Sequence, residues 1–223
     1  MSGDSEKGSV QALPMPRQAY APRRQIANPG PLGLYAFAAT TLILSLFNVG
    51  ADHIVVPNAV VGMAIFYGGL CQLLAGMWEF ACGNTFGATA FTSYGAFWLS
   101  FAGFYVPASG IGAAYAAAPD GAAQEDAAIG IFLMSWMTIS FLFFIACLRK
   151  NLAFAALFFT LIPTFTCLGA SKLSGNSALN TAGGAFGIVA ALIAFYIGTA
   201  ELMGPEDLFM LPLGRFKPRG LTV

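Results

Sequence analysis

Six apolar runs, at about 31–49, 57–77, 86–106, 128–147, 152–170 and 180–202, leave this chain few ways to fold. Each approaches the roughly 20 residues that a helix needs to cross the hydrocarbon core of a bilayer. Composition points the same way. Charged residues are only 9% and hydrophobic ones 57% of 223 residues, with a mean hydropathy of +0.72, outside what a water-soluble domain tolerates. The expected fold is an all-α membrane protein with six transmembrane helices over residues 31–203. A polar, Pro-rich tail at 1–30 precedes it, expected to be disordered and lacking the apolar core of a cleaved signal, and a carboxyl tail at 204–223 follows.

Prolines mark the run ends. Pro29, Pro31, Pro57, Pro107 and Pro119 fall where helices should start or stop, whereas Pro163 lies inside the fifth run and should free backbone carbonyls there. With six helices, the two tails and the link between helices four and five share one side of the membrane. That side carries Lys7, Arg17, Arg23, Arg24, Arg149, Lys150, Arg215, Lys217 and Arg219, nine of the ten basic residues. Lys172 alone lies opposite, with Asp52, Asp120, Glu125 and Asp126. The positive-inside rule then places both termini in the cytoplasm of a plasma-membrane protein.

A faint internal repeat joins the two halves. GNT at Gly83–Thr85 and GNS at Gly175–Ser177 lie 92 residues apart, each before the third helix of a three-helix set. Three is odd, so two such units would run in opposite senses through the membrane, the inverted-repeat design of many transporters. Two short matches are also what chance can produce, and a bundle without repeats is the alternative.

Soluble-enzyme signatures are missing: no phosphate loop, no GxGxxG, no HExxH, and a single histidine, His53. Cys71, Cys82, Cys147 and Cys167 form no CxxC pair and read as packed thiols. No metal, cofactor or enzymatic activity is expected. The zero net charge says nothing for or against acidic partners, and no nucleic-acid partner is expected.

Chemistry must therefore lie among polar residues inside the apolar runs, which are costly in lipid and tend to face the bundle interior or a water path. The candidates are Asn48, Gln72, Glu79, Asn84, Thr85, Thr92, Ser93, Tyr94, Thr138, Thr160, Thr164, Thr166 and Glu201. A single membrane Ser or Thr usually bonds its own helix. Taken together, neutral donors beside aromatic rings suit a small, weakly hydrated anion or a neutral acid. Glu79 and Glu201 stand at the same end of their helices, where they brace helix ends or serve as proton-coupling or gating groups. Gly62, Gly68, Gly69 and Gly76, with the GxxxG of Gly183 and Gly187, equip the chain for close helix packing. Among 21 phenylalanines most should pack, and a few at a narrow point would gate by dewetting.

NPGPLGL at Asn28–Leu34, FYGGLCQLLAGMWEF at Phe66–Phe80 and GNTFGATAFTSYGAFW at Gly83–Trp98 resemble the acetate uptake transporter family, across all six runs and in the expected order. The motif residues are Asn28, Pro29, Pro31 and Gly33. The resemblance implies transport of acetate and related monocarboxylates, succinate among the candidates, channel-like or proton-coupled, through an hourglass path in each subunit of a ring, commonly a homohexamer. It also implies an apolar constriction at Phe37, Tyr94 and Leu161 and makes Asn84 and Thr85 the motif's polar pair; of the polar candidates in the apolar runs, Asn48, Gln72, Asn84, Thr85, Thr92, Ser93, Thr160 and Thr164 are expected along the path. The alternatives are an ammonium or small-solute exporter and an acetate-responsive membrane sensor. One departure stands out: family members commonly carry Ala where this chain has Gly30.

Overall fold

The computed structural model describes residues 26–54 and 56–214. Six long helices run through it: α1 Gly30–Asn48, α2 Pro57–Cys82, α3 Thr85–Tyr105, α4 Gly121–Cys147, α5 Leu152–Ser174 and α6 Ser177–Leu202. A short helix, Ile111–Ala116, lies between α3 and α4. Five of the long helices are long and apolar enough to cross a membrane. The exception is α3, whose 21 residues include Thr85, Thr89, Thr92, Ser93, Tyr94 and Ser100, so its own composition is less apolar. The basic residues of both tails, from Lys7 to Arg24 and from Arg215 to Arg219, lie outside the described residues.

Helix ends extend past the apolar runs because backbone bonding does not stop where hydropathy falls. Thus α4 begins at Gly121, seven residues before its apolar run, and α2 continues to Cys82. Both Gly-Asn links adopt one local form: Gly83 and Gly175 take left-handed φ values of 80° and 69°, and the following Asn caps the next helix. Asn84 Oδ1 accepts from the Gly87 N–H at 3.1 Å, and Asn176 Oδ1 from the Ala178 N–H at 3.0 Å. Asn151 caps α5 in the same way, accepting from Phe154 N–H at 2.8 Å. Each such cap satisfies an otherwise orphaned donor and contributes about 1 kcal/mol. The start of α5 is further tied down by the segment after α6: Leu152 and Ala153 N–H donate to the carbonyls of Gly214 and Leu213.

Mid-way, α2 widens into a π-turn over Phe66–Cys71 that carries the buried pair Gly68 and Gly69. A Cβ on Gly68 would fall 2.7 Å from Thr40 Oγ1, so this turn presses on α1. Close approach sets the other contacts as well. A Cβ on Gly184 would lie 2.9 Å from Asn48 Cβ, one on Gly187 would collide with Ser45 Oγ, and one on Gly183 would lie 2.7 Å from the Leu168 side chain. These positions lock α6 against α1 and α5. Gly76 meets Thr92 and Gly95 meets Leu73, which closes α2 on α3. Gly62 faces open space and does not belong to that packing face.

By contrast α3 meets α4 and α5 through rings. Phe97 stacks on Phe132 with centroids 5.6 Å apart and packs edge-on against Trp136 at 5.0 Å and Phe165 at 5.3 Å. Gly95→Ala should destabilise the fold by about 1–3 kcal/mol, because its Cβ would lie 2.7 Å from the backbone N of Leu73, which cannot give way as a side chain can. Gly62→Ala should be neutral or stabilising by up to about 1 kcal/mol. Thermal unfolding of the two proteins in detergent checks both; equal effects would mean α2 and α3 are not held by this contact.

Candidate functional site

Two sets of cavities enter the bundle from opposite ends. At the end where α1 finishes and α6 starts, a vestibule of about 490 Å³ is bordered by Asn48, Pro57, Tyr105, Asp126, Lys172 and Asn180. Five of those residues, Asp126 excepted, also line a deeper cavity of about 80 Å³ that runs inward between α1, α3 and α5. One face of α1 supplies Phe37, Thr41, Leu44, Ser45 and Asn48, spaced at three and four residues as a helix stripe must be. The facing stripe of α5 is Leu161, Thr164, Phe165, Leu168 and Lys172, and α3 adds Phe97, Trp98 and Phe101.

Phe37 and Leu161 close the inner end of this cavity, 5% and 2% exposed. Tyr94 is not among its lining residues but packs edge-on against Phe37, with centroids 5.5 Å apart. Its hydroxyl is engaged with Ser140 Oγ at 2.8 Å, and Ser140 Oγ also lies 2.7 Å from the Trp136 carbonyl. The Tyr94 hydroxyl therefore anchors α3 to α4. Beyond Tyr94 an aromatic column continues through Phe158 and Phe143 to Phe86, with centroid separations between 5.5 and 6.2 Å.

At the opposite end, Lys150 Nζ sits 4.7 Å from the Phe86 ring centroid and shares a cavity of about 210 Å³ with Glu79, Asn84, Asn151 and Glu201. Glu79 is buried, and its carboxylate accepts from Asn84 Nδ2 at 2.9 Å, so one asparagine both caps α3 and fixes the acid. A wider space of about 670 Å³ beside it is lined by Asn28, Pro29, Glu79 and Cys82, among others. Asn28 Oδ1 accepts from the Gly30 N–H at 2.9 Å, and its Nδ2 reaches the Glu201 carbonyl at 3.4 Å. The Glu201 carboxylate occupies the place where a Cβ on Gly30 would sit, so Ala at that position would have to push the acid aside. Pro31 and Gly33 are buried in the first turns of α1, Gly33 under the Phe91 ring.

Of the pathway residues expected from sequence, Asn48 and Thr164 line the deeper cavity and Asn84 the opposite one. Gln72, Thr85, Thr92, Ser93 and Thr160 are not among the residues lining these cavities. Gln72 is buried in α2, Thr92 faces Gly76, Thr85 is exposed at the start of α3, and Thr160 Oγ1 lies 2.8 Å from the Leu157 carbonyl and 3.1 Å from that of Ala156. Missed altogether were Thr41, Ser45, Trp98, Ser140, Lys172 and Asn180. The stripe Phe37, Thr41, Ser45, Asn48 was readable from its spacing; the Tyr94–Ser140 pair, 46 residues apart in sequence, was not.

Residues 11–216 match the GPR1/FUN34/yaaH family. The chain belongs to that family. Acetate permease A of Emericella nidulans is 42% identical over 201 residues, covering 86% of this chain and 67% of its own. Ammonia transport outward protein 2 of Saccharomyces cerevisiae is 42% identical over 196 residues, 88% and 68% respectively. The solved structure of the bacterial acetate channel SatP superposes with a TM-score of 0.70 at 34% identity, covering 80% of this chain and 93% of that one. The motif-based resemblance to acetate transporters is thereby borne out.

The Tyr94–Ser140 bond links two helices that otherwise meet through rings, so a double-mutant cycle should resolve it. Tyr94→Phe and Ser140→Ala should couple by about 0.5–1.5 kcal/mol in detergent unfolding. Additive losses would mean that the hydroxyl has another use.

Proposed function

We propose that this chain carries acetate and related short monocarboxylates across a plasma membrane, with Phe37, Tyr94 and Leu161 forming the narrow apolar level between two vestibules. The observation that carries the reading is the lining of the deeper cavity. It offers hydroxyls, amides and an indole, and its only charged residue is Lys172, whose charge is balanced by Asp126 Oδ1 at 2.7 Å in the adjoining vestibule. Neutral donors beside aromatic rings suit a small, weakly hydrated anion or a neutral acid. The size is suitable too: about 80 Å³ is space for roughly five water-sized groups, and acetate has four heavy atoms. Names given to relatives, an acetate permease and an acetate channel, support the same substrate class.

A second reading, ammonium export, is favoured by Glu79 and Glu201 at the opposite vestibule and by the name of the yeast relative. Uptake of labelled acetate into liposomes by purified protein tests the first reading, with propionate, succinate and ammonium as competitors. Saturable acetate flux above protein-free vesicles is expected. Flux of ammonium alone would establish the second reading instead.

Both termini are taken to be cytoplasmic, and a homohexamer is the proposed assembly, with flux that is channel-like or proton-coupled. Exposed apolar side chains such as Phe66, Trp78, Ile131, Leu142 and Phe159 supply surface for lipid and for neighbouring subunits. A cysteine placed at Asp120 should react with an impermeant reagent from outside the cell, and one at Arg149 should not; the reverse pattern would invert the topology.

If the apolar level excludes hydrated solutes, widening it should let it wet and lower its selectivity. Phe37→Ala and Leu161→Ala should raise succinate flux relative to acetate several-fold. Truncations of this kind cost about 2–5 kcal/mol, so flux is normalised to folded protein. An unchanged substrate ranking in folded variants would remove these residues from the gate.

A further inference from the structure

After α6 the chain turns back, and Pro212, Leu213 and Gly214 lie as a strap against the end of the bundle where α5 begins. Three bonds hold it. Leu152 and Ala153 N–H donate to the Gly214 and Leu213 carbonyls at 3.0 and 3.3 Å, and the Tyr196 hydroxyl donates to the Pro212 carbonyl at 2.7 Å. The two amides belong to the first turn of α5, whose donors have no partner within their own helix, so the strap takes the place that water has at an open helix end.

Between the strap, α5 and α6 runs a groove of about 560 Å³. Leu152 and Ala156 of α5 and Val189, Leu192 and Tyr196 of α6 are among its walls, and every lining side chain is apolar except for the Tyr196 hydroxyl, already spent on Pro212. From Tyr196 to Val189 is two turns of α6, about 10 Å, so the groove leads from the strap toward the middle of the bilayer. Leu152, Val189 and Leu192 are exposed.

Positive charge collects at the strap end. Arg149 stands three residues before Leu152, is exposed and makes no ion pair among the described residues. Lys150 lies over Phe86 and borders the inner cavity instead. In sequence Arg215, Lys217 and Arg219, outside the described residues, come after Gly214, whose carbonyl is bonded to Leu152. No acid occurs in 147–152 or in 208–223. Glu206 and Asp207 stand nearer α6, and Asp207 Oδ2 accepts from the Gly204 N–H at 2.8 Å.

We infer that this groove holds an acyl chain of an anionic glycerophospholipid, with the phosphate of its head at Arg149. The inference goes beyond the transport reading and needs only that the chain be embedded in a bilayer.

Apolar contact alone cannot select a lipid, because bulk lipid tails are as apolar as the groove. Selection must come from the head, and a cation at the membrane surface attracts a head with net negative charge over a zwitterionic one. The groove then fixes where the chain lies, and Arg149 decides which head is kept. A second copy of this chain is less suited to the place. At this end of the bundle the exposed apolar faces of α2 and α4 offer no exposed acid to answer Arg149, since Glu79 is buried.

The experiment incubates the purified full chain in mild detergent with dioleoyl phosphatidylglycerol, dioleoyl phosphatidylcholine or soluble glycerol phosphate, and measures what each chain retains by native mass spectrometry. Phosphatidylglycerol is expected to bind at least about fivefold more tightly than phosphatidylcholine, the preference that one surface cation confers, and glycerol phosphate not to compete. Arg149→Gln should remove about fivefold of the phosphatidylglycerol affinity and none of that for phosphatidylcholine, and Arg149→Lys should retain the preference. Ala156→Trp, which fills the groove, should release both lipids. Val189→Trp, at an exposed position, blocks the deep end with less risk to folding and should weaken both. Equal retention of the two lipids by unaltered protein, or phosphatidylglycerol retention unchanged by both tryptophan variants, would overturn the inference. Competition by glycerol phosphate would overturn it in favour of a site for the head alone. Smaller assemblies of the tryptophan variants with lipid retention unchanged would show that a neighbouring subunit covers the groove, and would overturn it too.

Discussion

Every donor and acceptor inside a bilayer must find its partner within the protein, and that requirement organises this structure more than any single contact. The helices are rich in hydroxyls, and most of them bond back to their own turn: Thr40, Thr89, Thr138, Thr164, Thr166 and Thr199 each reach the carbonyl four residues earlier, at 2.8–3.2 Å. Bonded in this way, a threonine costs little in an apolar setting and leaves its methyl group for packing. Three helix starts follow the same rule, with Asn84, Asn151 and Asn176 supplying acceptors to α3, α5 and α6. Among the described residues the exceptions are four buried atoms, Thr41 Oγ1, Gln72 Oε1, Thr92 Oγ1 and Trp98 Nε1.

Two kinds of packing divide the bundle. Glycines bring α6 onto α1 and α5, and α3 onto α2, until backbone nearly touches side chain. Toward α4 and α5, α3 instead presents rings: Phe97 against Phe132, Trp136 and Phe165, and Tyr94 against Trp136, Phe143 and Phe158. Rings hold helices further apart than glycines do, and they fill the gap with surfaces that can tilt without losing contact. Glycine seams thus bring helices close at the sides, and the aromatic contacts lie between the two ends at which the cavities enter.

Much of this was legible in the sequence, for physical reasons that also mark where legibility ended. Apolar runs located the long helices, five of which have the length and apolarity that lipid imposes together, yet they missed the first turns of α4, where Gln124, Glu125 and Asp126 keep the backbone helical without being apolar. Gly-Asn signalled two helix starts because the pair supplies a left-handed stop and a cap in adjacent residues. The motif tyrosine was identified, but its hydroxyl turned out to serve Ser140, a partner that no local pattern announces. Gln72 and Thr92 were chosen as costly polar residues in apolar runs. Both are indeed buried at their polar atoms, but at positions away from the cavity walls, since polarity alone does not say which way a helix face points. The π-turn of α2 left only the Gly68–Gly69 pair as a trace.

On the proposal that Phe37, Tyr94 and Leu161 form a narrow apolar level, the three helices that carry it are not equally stiff there. Pro163 lies inside α5, two residues past Leu161, and removes the N–H that would otherwise bond the Phe159 carbonyl. Thr160, immediately before Leu161, directs its hydroxyl to the carbonyls of Ala156 and Leu157, which competes with the same stretch of ladder. No proline interrupts α3, and the prolines of α1 are confined to its first turn. Phe37 and Tyr94 are further held by each other and by the Ser140 bond. On that proposal, movement that opens the level costs least on α5. There a backbone bond is already absent, and Leu161, an aliphatic side chain outside the aromatic column, can withdraw without unstacking a ring.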